Sequence, residues 1–296
     1  MNNSGDVLAK IQLLTKSAEL TDLERSRLAN ELNTVHERLS KGDYQRFSYT
    51  TNTFDVPNRT RDFFTELEFY CLLGQTWAAL LKEMGVNQFS RVADLCPGYT
   101  PKIELGLFYT GYTGEVVVLD TDEDSIGQLQ QFMALFQPDF TITKKVVNLF
   151  ADPLDSYDVV LGNHIIDDLV LYYYSQKRNI PLSELYAHEQ TMIGLWHEII
   201  ENKEEYIPEI TGLIANIFLK TVKKGGYLCL SQYPSYMERM LDMDEAPRFN
   251  KRVLAGVAEI LTQQGFTPEN HKAKKAFKTF KGHFGPDDCI ILRREK

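Results

Sequence analysis

Apolar residues recur at helical spacing up to about residue 85, and beyond residue 90 they gather into short runs divided by turns and helices. Leu28, Leu32, Val35 and Leu39 stand four, three and four residues apart, on one face of a helix. Thr21-Asp22-Leu23-Glu24 ahead of them has the form of a capping box, and Gly42 follows the expected stop. Residues 43–59 are polar and aromatic without a period, so a loop is expected. Phe63, Leu67, Tyr70, Trp77, Leu81 and Met84 keep helical spacing, and Gly85 ends the run. Residues 1–89 are expected to form a helical cap or lid on the remainder rather than an independent module.

From Arg91 onward the pattern predicts strands at 92–95, 115–119, 145–150, 157–161, 226–231, 276–281 and 289–293. Helices are expected at 101–110, 125–136, 183–223 with a break near Pro208, and 249–264. Strands alternating with helices imply crossover units and a mostly parallel sheet. The last two strands, divided by Gly285-Pro286-Asp287-Asp288, are read as an antiparallel edge hairpin. Residues 90–296 then form one α/β domain with a helical insertion at about 172–222.

Composition narrows the class. With 43% hydrophobic and 25% charged residues, the 296-residue chain is that of a folded globular protein. Forty-one acids against 32 bases leave a net charge of −9, which argues against nucleic acid and anionic membranes as partners. Cys71, Cys96, Cys229 and Cys289 are widely spaced, unlike a disulfide framework or a structural zinc site. No run of about 18 apolar residues is present, and no secretory signal is read at the N-terminus. A cytoplasmic protein is expected; the oligomeric state is left open.

In an open parallel sheet, ligands sit beyond the carboxyl ends of the strands where the strand order reverses. The first such end reads Val92-Ala93-Asp94-Leu95-Cys96-Pro97-Gly98-Tyr99-Thr100, with a glycine that lets backbone approach a ligand closely. The second is Asp120, 22 residues after Gly98, at a separation suited to an acid that accepts hydrogen bonds from two ribose hydroxyls. Asp120 can equally be a helix N-cap.

VADLCPG followed by VVVLD resembles the first two motifs of class I S-adenosylmethionine (SAM)-dependent methyltransferases. Asp94 matches the acid of the family's D-x-G-x-G-x-G and Gly98 its middle glycine; Cys96 and Thr100 replace the other two. The resemblance makes Asp120 the ribose acid and Asp152 the acid that holds the adenine amino group, with Thr121 and Ala151 beside them. It makes Asn163 and His164 the loop facing the methyl group, and 222–228 the glycine-rich entry to the fifth strand. It implies a seven-stranded Rossmann-like sheet and SAM as cofactor. A nicotinamide dehydrogenase, the rival with a similar sheet, requires G-x-G-x-x-G, and residues 96–101 read CPGYTP.

Methyl transfer is an in-line displacement at a sulfonium; the protein aligns the reactants and supplies a base only where the nucleophile starts protonated. Asn163, His164 and Tyr172 are the catalytic candidates, with His164 either a base or a residue that fixes its loop by hydrogen bonds. Asp167 and Asp168 are read as capping or solvating the next helix. Tyr172, Tyr173 and Tyr174 cannot share one helical face; one or two can place an electron-rich ring near a cation, and ordinary packing is the alternative. Phe47, Tyr49 and Tyr173 are candidates for the substrate side or lid, with Tyr44, Phe54, Arg59 and Arg61 in the same N-terminal loop.

Other signals lead away from different chemistries. No N/D-P-P-Y/F follows the fourth strand, which disfavours base or glutamine methylation. His188 and His197 are nine residues apart, about 2.5 turns, on opposite faces of a helix, so no zinc site is read there. The eight basic and three acidic residues of 271–296 are read as a solvated edge. The expected activity is methyl transfer to a small molecule. Two alternatives keep SAM: aminocarboxypropyl transfer or azetidine closure, releasing methylthioadenosine, and a non-catalytic SAM-binding module.

Overall fold

The computed structural model describes residues 67–234 and 244–295. Helix α1 (Leu67–Met84) is followed by β1 (Arg91–Leu95), α2 (Lys102–Thr110), β2 (Glu115–Asp120), α3 (Glu123–Phe136) and β3 (Thr141–Val146). Then come β4 (Tyr157–Asn163), α4 (Ile165–Lys177), α5 (Leu182–Ala187), α6 (Glu189–Glu201), α7 (Lys203–Thr221) and β5 (Val222–Ser231). After 235–243 the chain continues as α8 (Glu245–Gln263), β6 (Phe266–Pro268), α9 (His271–Thr279) and β7 (Cys289–Arg294).

The seven strands lie in the order β3-β2-β1-β4-β5-β7-β6. The first five are parallel, and β7 runs antiparallel to both β5 and β6. Chain order proceeds outward from β1 to β3, returns to β4 and proceeds outward the other way. The topological switch therefore falls between β1 and β4, the place beyond whose carboxyl ends open α/β sheets bind their ligands. This is the mostly parallel seven-stranded sheet expected, with an antiparallel edge.

Two apolar clusters cover the sheet. One gathers α1, α2, α3 and α9 with Val92, Val116, Val118, Val159 and Ile291; the other gathers α4 to α8 with Ala93, Leu95, Val117, Val160 and Leu230. Alternation along β1 sends Val92 and Asp94 to the first face and Ala93 and Leu95 to the second. Helix α1 shares the first cluster through Tyr70, Leu73, Trp77 and Leu81. It approaches α2 closely because Gly74 of α1 and Gly106 of α2 lie at the contact: a Cβ on Gly74 would stand 2.7 Å from Leu105 Cβ, and one on Gly106 2.7 Å from Trp77 Cβ.

Four expectations about elements change. The strand expected at 145–150 is β3 at Thr141–Val146; residues 148–152 form a turn instead, in which Asn148 Oδ1 accepts the Phe150 N–H at 3.0 Å and Asp152 Oδ2 the Asn148 N–H at 2.8 Å. The strand expected at 276–281 lies mostly in helix α9. Its buried Ala273 and Ala276 are three residues apart, with lysines between and around them. The antiparallel edge pair is accordingly β6 with β7, joined through α9 and not by the expected turn; β7 sits between β5 and β6, and Pro286–Asp288 form a single turn leading into it. Helix breaks fall at His188 and Asn202, while Pro208 lies inside α7, in its second turn, where its missing N–H leaves one i→i−4 bond unmade. The capping box at Thr21, the helix at 28–39 and the aromatic loop lie outside the described residues.

Candidate functional site

The turn after β1 crosses towards β2 and is tied to it twice. Cys96 N–H donates to Leu119 O at 2.8 Å, and Gly98 N–H donates to Asp120 Oδ2 at 3.1 Å. Cys96 and Gly98 both have positive φ, 52° and 62°. Glycine adopts this freely; cysteine does so at some expense. A Cβ built on Gly98 would meet nothing within 4 Å, so the backbone there borders open space.

Asp120 is not the cap of α3. Asp122 is: its Oδ1 accepts the N–H groups of Asp124 and Ser125 at 3.1 and 3.3 Å. Asp120 instead accepts from Asp122 N–H at 3.1 Å through Oδ1 and from Gly98 through Oδ2. Burial raises its carboxyl above the usual range, and these N–H groups oppose the shift. Each carboxylate oxygen has a second lone-pair direction, so a carboxylate here can still accept from a ligand. Thr121 follows, exposed.

Asp94 is 2% exposed and faces Glu104, which is 0% exposed, in the first turn of α2. The two lie within hydrogen-bonding reach. Asp94 Oδ1 and both Glu104 carboxyl oxygens meet no donor among the described residues. Burial pushes both acids up, Asp94 well above its usual range and Glu104 to about 7. The geometry is satisfied by one proton shared between the two carboxyls. Burial also raises the Cys96 thiol well above its ordinary value, and Asp120, Asp168, Asp94 and Asp167 add to this. Four carboxyls thus act on the turn between the tips of β1 and β2.

Asn163, at the tip of β4, is buried and structurally committed. Its Oδ1 accepts from Trp77 Nε1 at 2.8 Å and Ser231 Oγ at 3.2 Å, and its Nδ2 donates to Tyr233 Oη at 3.2 Å. His164 has φ 58°. Its Nε2 is 2.6 Å from Tyr233 O, which can only accept, and its Nδ1 is 2.8 Å from Asp167 Oδ1. Tyr233 O makes Nε2 a donor, Nδ1 is engaged by the Asp167 carboxyl, and the ring edges onto Tyr233 at 5.0 Å between centroids. The bonds fix the loop as one of the two sequence alternatives described. Asp167 serves this histidine.

Tyr172 stacks on Phe150, 6.1 Å between centroids at 5°, and bonds the Asn148 side chain; burial raises its hydroxyl. Tyr173 packs against the same ring and donates to Glu209 Oε1 at 2.9 Å. Tyr174 turns away, stacked on Tyr206 at 4.2 Å. Ala151 and Asp152 are exposed in the turn beneath Phe150. The structure thus brings Asp94, Cys96, Gly98 and Asp120 together at the tips of β1 and β2, and sets Tyr172 beside the 148–152 turn. Phe47 and Tyr49 lie outside the described residues. Sequence reading missed Glu104, Trp77, Gln232, whose Oε1 accepts the Ile166 N–H at 3.1 Å, and His283, whose ring edges onto Tyr233. Of these, the acid at Glu104 amid Ile103, Leu105 and Leu107 was visible as a polar residue in an apolar run.

No protein-family model and no curated protein matches the chain. Among solved structures it is similar to human N-acetylserotonin methyltransferase in complex with SAM, at 13% identity and TM-score 0.41, over 89% of this chain and 66% of that one. The chain thus spans just under two thirds of the human protein's length. It is also similar to magnesium protoporphyrin IX methyltransferase of Synechocystis with bound S-adenosylhomocysteine, at 15% identity and TM-score 0.44, over 89% and 95% of the two chains. A third is mitomycin 7-O-methyltransferase, at 11% identity and TM-score 0.43, over 92% and 68%.

Proposed function

We propose that this chain is a SAM-dependent methyltransferase of the class I family, acting on a small-molecule acceptor. The observation that carries this is the bridge from Gly98 N–H to Asp120 at 3.1 Å, beside open space at Gly98. It sets a carboxylate and a bare backbone side by side at the tips of two neighbouring parallel strands, as a nucleoside requires.

The residues present fit the cofactor. Asp120 is positioned to accept from ribose hydroxyls. The exposed 148–152 turn and the Phe150–Tyr172 stack offer Asp152 and an aromatic face to an adenine. Asp94, Glu104 and Asp120 make the cleft acidic, which suits a cationic ligand. When bound, SAM supplies an electrophilic methyl group on a sulfonium. The chain's own part is to align that group with the acceptor and exclude water.

Neither Asn163 nor His164 offers a free lone pair from a ring or amide nitrogen in this arrangement. They act as positioning residues, and the acceptor supplies its own nucleophilic lone pair. The same commitment favours one second reading, a module that holds SAM without turnover. Mass spectrometry of the purified protein with SAM and cell extract separates the outcomes. S-adenosylhomocysteine supports methyl transfer; methylthioadenosine points to aminocarboxypropyl transfer or azetidine closure; binding without product supports the module.

A further inference from the structure

We propose that Glu104, through the carboxyl pair it forms with Asp94, makes the cofactor cleft selective for a positively charged ligand by releasing a shared proton as the cation binds. This rests on the SAM reading of the cleft.

Helix α2 is buried almost all round in its first half, at Ile103, Glu104, Leu105, Gly106 and Leu107. An apolar side chain would serve packing there. An acid with both oxygens lacking a donor is therefore a costly choice, and its partner is a second acid with one oxygen in the same state. Two adjacent carboxyls out of water cannot both ionise readily, so one proton stays between them.

The pair is within electrostatic range of the strand tips. Lys102 on α2 acts on both acids, and Asp120 at the end of β2 acts on Asp94. The Cys96 thiol in the intervening turn feels Asp94 and Asp120 together with Asp167 and Asp168. Helix α1 meets this region through Trp77 and Leu81, which carry no charge. Among the described residues, the charges that act on the pair from outside it are thus Lys102 and the Asp120 carboxyl. A cation placed at the tips of β1 and β2 stabilises the doubly ionised pair, and the proton leaves to solvent. A neutral thioether, which SAM becomes once its methyl is gone, lacks the sulfonium charge, so the pair regains its proton as that product is held or released. Burial pushes the Glu104 carboxyl up to about 7, so the pair's exchange is expected in the neutral range.

The test is calorimetric titration of the full chain with SAM and, separately, S-adenosylhomocysteine from pH 5.5 to 7. Over this range the α-amino group common to both ligands stays charged, its ordinary value being about 7.7–8.0. The preference for SAM over S-adenosylhomocysteine is expected to rise with pH, by at most about tenfold per pH unit for one coupled proton. Repeating the SAM titration in buffers of different ionisation enthalpy should show proton release. Glu104→Gln, which cannot ionise and gives Asp94 an N–H donor, should flatten the preference. In the infrared, the ligand-free wild type should show a protonated carboxyl C=O band that weakens on adding SAM and is altered in Glu104→Gln. A pH-independent preference with both ligands bound, or an unchanged slope in Glu104→Gln, overturns the inference and leaves the cofactor reading standing. Binding of neither ligand removes the cofactor reading and the inference with it. Should Glu104→Gln fail to fold, the wild-type slope, proton release and infrared band still decide.

Discussion

Trp77 donates its indole N–H to Asn163 Oδ1 at 2.8 Å, joining helix α1 to the tip of β4 across 86 residues of sequence. Asn163 also takes Ser231 at the tip of β5 and Tyr233 beyond it. One amide thus ties together the helix that covers the sheet, β4 at the switch point and β5 beside it. Trp77→Phe keeps most of the ring volume and removes the donor. It should lower stability by about 1 kcal/mol, since Asn163 Oδ1 keeps other partners. Thermal melts check this, and a variant as stable as wild type would show the bond to be incidental.

Asp120 and Asp122 stand two residues apart and do different work. Asp122→Ala removes the cap of α3 and should destabilise the fold by about 0.5–2 kcal/mol, while SAM affinity measured on the folded fraction stays within about threefold. A large loss of affinity in Asp122→Ala would mean that the ligand contacts the cap instead of the strand tip.

The Asp94–Glu104 pair gives stability a pH dependence of definite sign. Both acids hold protons more tightly in the folded chain than in the unfolded chain, so the folded state binds more protons between about 4.5 and about 7. Their contribution is largest at low pH and is lost as pH rises to about 7. Glu104→Gln lacks it. Relative to wild type, the variant should therefore gain stability from pH 5 to 7, by up to about 1.4 kcal/mol per pH unit. Denaturant melts at several pH values measure the difference; a constant difference would show that the pair does not hold the proton.

With both nitrogens of His164 engaged, by Tyr233 O and by Asp167, its removal should act on loop geometry and not on proton transfer. His164→Asn, which tolerates the left-handed backbone, should reduce turnover through weaker acceptor positioning. The shape of the pH–rate profile should be the same in wild type and variant. A limb present in wild type that vanishes in His164→Asn would restore the histidine as a base.

The parts of the site visible in the sequence are those encoded locally. Val92–Leu95 and Glu115–Asp120 announce themselves as apolar runs, and Gly98 and Asp120 sit just past or at their ends. The misread segments are those where local pattern and packing disagree. Residues 276–281 carry phenylalanines that suggest a strand, yet Ala273 and Ala276 pack as a helical stripe against α1 and β7. Residues 147–150 extend an apolar run, yet Asn148 captures backbone donors and turns the chain. Glu104 and Trp77 gain their roles only from long-range docking of α1 and α2 on the sheet. Tyr233 follows the fifth strand in sequence, and its hydroxyl's contact with Asn163 depends on β4 lying beside β5.

Calorimetric titration of S-adenosylhomocysteine into wild type and Asp120→Ala probes the cleft most directly. A nucleoside gripped at the tip of β2 gives saturable binding to wild type and a loss of about 1.5–3 kcal/mol in the variant, roughly tenfold to 150-fold in affinity. No binding to folded wild type, or equal affinity in the variant, would contradict a cofactor held by Asp120 beside Gly98.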